Sequence, residues 1–176
     1  DSKQAAYYLN QFASLMRNIL DNSVQSKVSI HDEIELLHHY IRLEQLRFDN
    51  QFTYQINVEK SINPMEVKIP GMIIQPFVEN AIWHGLLHRE GKGTLELNFA
   101  IKDNKYCCLV TDDGIGRKAS KQIKENNRNT YESRGMKITK DRLDALNKGE
   151  IKDCYYEIED LEQGTRVTIY FGKIKN

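Results

Sequence analysis

The sequence contains little cysteine, and this excludes two kinds of stabilised fold. Only Cys107, Cys108 and Cys154 occur in 176 residues, and the first two are adjacent. Because neighbouring residues on a strand face opposite sides, the three fit neither a disulfide framework nor a metal cluster. This usage favours a reducing compartment.

Net charge and long apolar runs are also missing. Lysine plus arginine and aspartate plus glutamate number 25 each, so no net field draws the chain toward nucleic acid or an anionic membrane surface. No stretch approaches the roughly 20 apolar residues of a membrane span. The first residues also lack the pattern of a secretory leader, in which basic residues precede an apolar run. We expect a soluble domain with a helical lead-in.

Residues 1–28 are predicted to form a helical arm before a compact domain at residues 29–176. Apolar residues of the arm recur at alternating steps of four and three, which is the spacing of a coiled-coil seam. They are Ala5, Leu9, Phe12, Met16 and Ile19. The stripe could pack within the chain, but a helix that precedes the domain has few partners there, which favours dimerisation.

The domain alternates between helical and strand patterns. Ser29, followed by Asp32 and Glu33, predicts a helix that runs to about Phe48. Further helices are predicted at 72–87, where Pro76 would bend or restart the helix, and at 135–146. Strands are predicted at 52–58, 94–101, 106–111, 155–158 and 166–171. The polar run 117–134 lacks a usable period and is predicted to be a mobile flap.

Two segments carry side chains suited to ligand chemistry. Asn80 and His84 stand four apart, so they share one helix face and could meet phosphate. Asp112 ends a strand and precedes Asp113-Gly114-Ile115-Gly116, where backbone could approach a flat ligand closely. Taken singly, Asn80 could equally be a helix amide that bonds locally, and Asp112 a turn residue.

Taken in order, four segments resemble the nucleotide-binding fold shared by DNA gyrase, heat-shock chaperones, mismatch-repair ATPases and histidine kinases, the GHKL superfamily. The closest resemblance is to LytS-type sensor histidine kinases. The segments are Glu79 to Gly85, Asp112 to Gly116, Ser133 to Leu143, and Gly164-Thr165. The resemblance implies an α/β (α+β) fold of the Bergerat type, a two-layer sandwich of helices on a mixed, mainly antiparallel sheet.

The same resemblance implies ATP and Mg²⁺ as cofactors and assigns roles at the phosphate end. Asn80 would reach Mg²⁺ and the phosphates, with His84 near the phosphate chain. Backbone N–H groups at Gly135 and Met136, near a helix start, would cradle phosphates. Glu79 could polarise an attacking imidazole, although a helix glutamate is more often a surface group.

At the base end, Asp112 would accept a hydrogen bond from the adenine amino group, with Gly114 and Gly116 lining the nucleotide and Thr165 near the adenine. The sequence departs from the family pattern at four places, two of them in the phosphate-binding region. These are Trp83, often Lys; Asp113, often Asn; Ser133, often Gly; and Ile138, often Asn.

The resemblance also implies the reaction and the partners. Gyrase-like ATPases carry a glutamate where this chain has Pro76, so activation of water by that route is excluded and a kinase is favoured over an ATPase. The whole protein would be a membrane-anchored bacterial sensor kinase with this chain in the cytoplasm, a homodimer through the arm that passes phosphate to a response regulator. The acceptor histidine is expected on a helix outside this chain, and His31, His38 and His39 are expected to be surface or packing residues. The alternative is a nucleotide-binding interaction module without transfer activity.

Overall fold

The computed structural model describes residues 10, 13, 27–126, 134–148 and 153–173. The chain divides into two compact units, the first of residues 1–50 with 60–72 and the second of residues 51–59 with 73–176. Most of the predicted helical arm lies outside the described residues, so the arm and its dimer seam stay predictions. The boundary predicted at residues 28 and 29 is likewise untested.

In the described part of the first unit, the long helix α1 spans Ile30–Arg47. Its start follows the sequence signal, since the Ser29 hydroxyl accepts a hydrogen bond from the backbone N–H of Asp32 at 3.0 Å. Leu36, Leu37 and Ile41 are completely buried. The helix predicted from Ser29 to about Phe48 is therefore confirmed.

Two three-residue strands in the first unit were not predicted. Strand β1, Lys27–Ser29, pairs antiparallel with β3, Lys68–Pro70. Three residues are too few to display alternation, so the pairing depends on contacts remote in sequence. Beyond β3, a carboxylate oxygen of Glu33 accepts a hydrogen bond from the N–H of Met72 at 2.8 Å, and Met72 has a positive φ of 56°.

The second unit is built on a five-stranded sheet in the order β2-β4-β5-β7-β6. Its strands are β2 at Phe52–Val58, β4 at Gly93–Lys102, β5 at Lys105–Asp112, β6 at Cys154–Asp160 and β7 at Thr165–Lys173. Strands β2 and β4 are parallel, and the other three pairings are antiparallel. The predicted mixed, mainly antiparallel sheet is confirmed.

The hairpin between β4 and β5 closes on a two-residue turn. Lys102 pairs with Lys105, and Asp103 and Asn104 between them have φ values of 49° and 57°. Positive φ at both positions matches the twist of the flanking strands. Asn and Asp are among the few residues besides glycine that tolerate it.

The helix predicted at residues 72–87 is shorter and changes its winding. Helix α2 spans Gln75–Asn80, continues as a π-helical turn at Ala81–Gly85 and ends as a 3₁₀ turn at Leu86–His88. Pro76 lies in the first turn of α2, where a missing N–H is tolerated, and so it marks the start rather than a bend.

Residues 117–134 were predicted to be a mobile flap, and no helix was predicted there from their sequence pattern. Helix α3 spans Gly116–Asn126, and helix α4 follows at Arg134–Lys148. The Asn147 side chain anchors the end of α4, because its amide donates to the carbonyl of Cys154 at 2.7 Å and accepts from the N–H of Cys154 at 2.8 Å. The Asn147 side chain thus makes the two hydrogen bonds with the backbone of Cys154 that a neighbouring strand would make.

The two faces of the sheet differ in chemistry, as a two-layer fold requires. On the helix side, Leu95, Leu97 and Phe99 are buried, and Phe77 of α2 meets Tyr156 of β6 edge to face, with 5.0 Å between ring centroids. On the opposite side, hydrogen-bonded polar pairs cross between β2 and β4. They are Gln55 with Glu96 and Asn57 with Asn98.

Candidate functional site

A cavity of about 220 Å³ lies in the second unit, between α2 with its π-helical turn, the sheet and α3. Five of the nine residues predicted from the sequence line it. They are Asn80, His84, Asp112, Gly116 and Thr165. The structure therefore gathers residues from three separate stretches of the chain around one space.

Asn80 and His84 were predicted to share a face of one α-helix. Both line the cavity, but the helix between them changes from α to π winding. Asn80 is the last residue of α2, whereas His84 lies in the π-helical turn, Ala81–Gly85. Such turns are rare and are found preferentially at functional sites. Sequence periodicity does not reveal the turn, because it adds one residue to a helix without a distinctive composition.

Asp112 forms the buried acidic part of the cavity. It is only 6% exposed, and its Oδ1 accepts a hydrogen bond from the N–H of Gly114 at 2.9 Å. Burial raises the pKa of Asp112 to about 6; the Gly114 N–H opposes this rise and the nearby Asp113 carboxylate adds to it. Across the sheet Asp112 pairs directly with Thr165, so one row of the ladder brings both to the cavity.

Three glycines allow the backbone to close tightly around Asp112. A Cβ on Gly85 would lie 2.6 Å from Oδ1 of Asp112, and one on Gly164 would collide with the Asp112 carbonyl. A Cβ on Gly114 would collide with the backbone of Gly85, and Ile115 donates its N–H to the Gly85 carbonyl at 3.2 Å. Gly114, predicted to line the nucleotide, is absent from the cavity wall and packs against Gly85 instead.

Asp113, beside this acid, makes a different set of contacts. Its Oδ2 lies 2.6 Å from Nη1 of Arg89, and its Oδ1 accepts from the N–H of Thr94 at 2.7 Å. Burial works to raise the pKa of Asp113, but the hydrogen bonds from Arg89 and Thr94 and the Arg89 charge outweigh it and hold the pKa below its ordinary value. The pKa values of the two adjacent acids are thus shifted in opposite directions.

Next to Asp112 lies an apolar row that the sequence analysis did not identify. Val110, Val167 and Ile158 are register partners across β5, β7 and β6, and all three line the cavity. Ile158 is 39% exposed, a high value for an apolar residue on the helix side of the sheet. Together with Phe77, this row offers a flat apolar wall beside a buried hydrogen-bond acceptor.

Helix α3 contributes Arg117, Ser120 and Lys121 to the cavity wall. These positions were missed because the inward face of α3 is polar. Apolar periodicity detects helices that face a protein core, whereas this face meets a cavity. A spacing of polar side chains at three and four residues was the only available signal.

Of the remaining predicted residues, Glu79 does not line the cavity. Glu79 is half-buried and accepts a hydrogen bond from Gln75 Nε2 at 3.2 Å. Gly135 and Met136 lie in the first turn of α4, which begins at Arg134. Their proposed contacts with phosphate stay predictions.

Comparisons with known proteins agree with the fold. The family model described as "Histidine kinase" matches residues 1–52. The chain is 34% identical over 116 residues to a sensor protein LytS from Oceanobacillus iheyensis, covering 66% of this chain and 20% of the relative. It is 29% identical over 175 residues to the sensor histidine kinase YpdA from Escherichia coli K12, covering 96% of this chain and 28% of the relative.

Among solved structures, the histidine kinase domain of the blue-light activated kinase of Erythrobacter litoralis EL346 superposes with a TM-score of 0.58. The superposition covers 97% of this chain and 81% of that one at 14% identity. The fold is therefore that of a histidine kinase catalytic domain. The chain belongs to the LytS-type sensor histidine kinases.

The chain spans less than a third of the length of these two relatives, at 20% and 28%. Both relatives are bacterial sensor proteins by name. Within residues 27–126, 134–148 and 153–173, no helix combines the length and the hydropathy that a bilayer crossing needs.

Proposed function

We propose that this chain is the ATP-binding catalytic part of a sensor histidine kinase and that the cavity beside Asp112 holds the nucleotide. The observation that carries the proposal is that Asn80 and Asp112, 32 positions apart in sequence, line one cavity together with Thr165. An amide at the end of α2 and a buried acid at the end of β5, lining one cavity, are suited to the two ends of a nucleotide.

At the base end, Asp112 accepts a hydrogen bond from the adenine amino group. Its burial favours this role, because a buried acceptor that lacks a donor costs about 1–3 kcal/mol and so discriminates against ligands without one. The apolar row of Val110, Val167 and Ile158 covers one face of the base. Gly85 leaves the space in which the carboxylate sits.

At the phosphate end, Asn80 is the residue that would hold Mg²⁺, with His84 beside the phosphate chain. Among the described residues no group of three or more acids, histidines or cysteines could hold a metal. A single amide nevertheless fits Mg²⁺, which keeps several waters and is bound through few protein ligands plus the phosphates themselves. When bound, Mg²⁺ would neutralise charge on the phosphates.

The reaction proposed for the whole protein is transfer of the γ-phosphoryl group to a histidine on the dimerisation helix. A homodimer through the helical arm and a response regulator as the next acceptor complete the scheme, with this chain in the cytoplasm. Glu79 is a candidate to polarise the attacking imidazole, although it lies off the cavity wall. Positioning and charge neutralisation carry most of the work in phosphoryl transfer.

Pro76 is the residue that argues against a free-standing ATPase. It occupies the first turn of α2, where it offers no general base to activate water. A nucleotide-binding module without transfer activity remains the second candidate, because the phosphate-binding segment departs from the family at Ser133 and Ile138.

Two measurements test the proposal. Titration of this chain with ATP, with and without Mg²⁺, should show binding that Mg²⁺ strengthens, and the absence of any binding would overturn the nucleotide site. Labelled ATP added to the complete protein should then place phosphate on a histidine. Binding without such label would favour the interaction module, and steady release of free phosphate would favour the ATPase.

A further inference from the structure

The cavity wall on the α3 side has a different chemistry from the wall on the sheet side. Arg117, Ser120 and Lys121 are spaced by three and four residues, which places them on one face of α3. On the sheet side the lining residues are apolar apart from Asp112 and Thr165. The sheet side thus suits a neutral base, and the α3 side suits an anion.

The two α3 cations that line the cavity differ in what already surrounds them. Arg117 Nη1 lies 3.6 Å from Oδ2 of Asp160, at the end of β6, and both side chains are partly exposed. Lys121 makes no ion pair with any residue in the described part of the chain. The charge of Arg117 is therefore partly offset by protein, whereas that of Lys121 is available to a bound molecule.

We infer that Lys121 recognises the polyphosphate and sets the preference of the site for ATP and ADP over AMP and adenosine. The inference rests on the proposed nucleotide site and identifies the residue that recognises the charge of the nucleotide. A lysine ammonium is a compact point charge on a flexible stem, and its attraction for a ligand grows with the number of phosphate charges nearby. Arg117, paired with Asp160, positions α3 against the sheet.

The test compares four ligands on three variants of this chain. Titrations with ATP, ADP, AMP and adenosine, in the presence of Mg²⁺, are made on the parent chain, Lys121→Gln and Lys121→Arg. In Lys121→Gln, the loss of one charged contact should lower the affinity for ATP by about five- to tenfold. The affinity for adenosine should stay within about twofold of that of the parent. Lys121→Arg should restore most of the preference for ATP, since the charge is kept.

A matched control tests whether the effect comes from a local contact of Lys121 or from the total positive charge of the helix. Lys118 lies on the same helix and is, like Lys121, a solvent-exposed lysine, but it does not line the cavity. Lys118→Gln should bind all four ligands as the parent does.

Three results would overturn the inference: equal losses for ATP and adenosine in Lys121→Gln, unchanged ATP affinity in that variant, or an equal loss of ATP affinity in Lys118→Gln. Failure of the parent chain itself to bind ATP would be a separate result. It would overturn the proposed nucleotide site, and the inference with it.

Discussion

A Cβ atom added to Gly85 would lie 2.6 Å from Oδ1 of Asp112, closer than such atoms approach in folded proteins. The missing side chain at Gly85 is therefore what permits the acid to occupy its position behind the cavity. The two residues come from the π-helical turn and from the end of β5. A close approach between elements so distant in sequence is a property of the tertiary structure.

Gly85→Ala should displace the Asp112 carboxylate and weaken ATP binding by more than about tenfold, a cost of at least ~1.4 kcal/mol. The measurement is a calorimetric titration, with the melting temperature recorded in parallel. Gly91→Ala is the control, because a Cβ there meets nothing within 4 Å and Gly91 does not line the cavity. The control should lose some stability, since Gly91 has a φ of 77°, yet bind ATP normally. Equal ATP affinity in Gly85→Ala and the parent would contradict the steric argument.

Asp112→Asn should abolish most of the affinity for ATP, because the new amide can present a donor to the adenine amino group. In the parent, affinity should fall as the pH drops through about 6, since the raised pKa means that Asp112 becomes protonated there. Titrations from pH 8 to pH 5 measure this fall. A flat profile, or normal binding by the variant, would show that Asp112 is not the adenine residue.

The same substitution should stabilise the chain in the absence of nucleotide. The folded state raises the pKa of Asp112, so folded protein binds the proton more tightly than unfolded protein, and its stability falls as the pH rises from about 4 to about 6. Above pH 6 the buried charge costs about 2–3 kcal/mol, which Asp112→Asn should recover while its oxygen still accepts from Gly114. Denaturant unfolding at pH 5 and pH 8 tests this. The gain must be larger at pH 8, and an equal gain at both would rule out charge burial as the cause.

The ion pair between Arg89 and Asp113 should stabilise the loop after β5 by a modest amount. Asp113 is 38% exposed at its side chain and Arg89 19%, so solvent screens part of the attraction. A double-mutant cycle of Arg89→Met and Asp113→Asn should give a coupling of about 1 kcal/mol that decreases with salt. Asn at 113 can still accept from Thr94. Since neither residue lines the cavity, ATP affinity should change little, and a large loss in Asp113→Asn would show that this loop sets the site.

Asn104→Gly should stabilise the β4–β5 hairpin by about 0.5–1 kcal/mol, because glycine adopts the φ of 57° at this position without steric cost. Asn104→Ala is the opposite test and should destabilise the chain, since alanine lacks the tolerance of asparagine for this conformation. Urea unfolding with unchanged m-values measures both. The turn geometry would be wrong if the two variants changed stability in the same direction.

The fold could be predicted where the sequence signal was local. The start of α1 at Ser29 and the strand at residues 52–58 were correct because capping and alternation act between near neighbours. Helix α3 was missed, since its inward side chains Ser120 and Lys121 are polar and face a cavity. The late start of α2 was missed because Met72 takes a positive φ, which no composition rule indicates.

The sequence by itself determined the family, the order of the segments and the chemistry available at Asn80 and Asp112. Only the tertiary structure decided that the two share one cavity, that Gly114 supports Gly85 instead of lining that cavity, and that Ile158 and Lys121 belong to its walls. The reason is physical. Residue type and spacing fix what a side chain can do and how its own element folds, whereas the distance between two elements depends on sheet register and on packing across the whole unit.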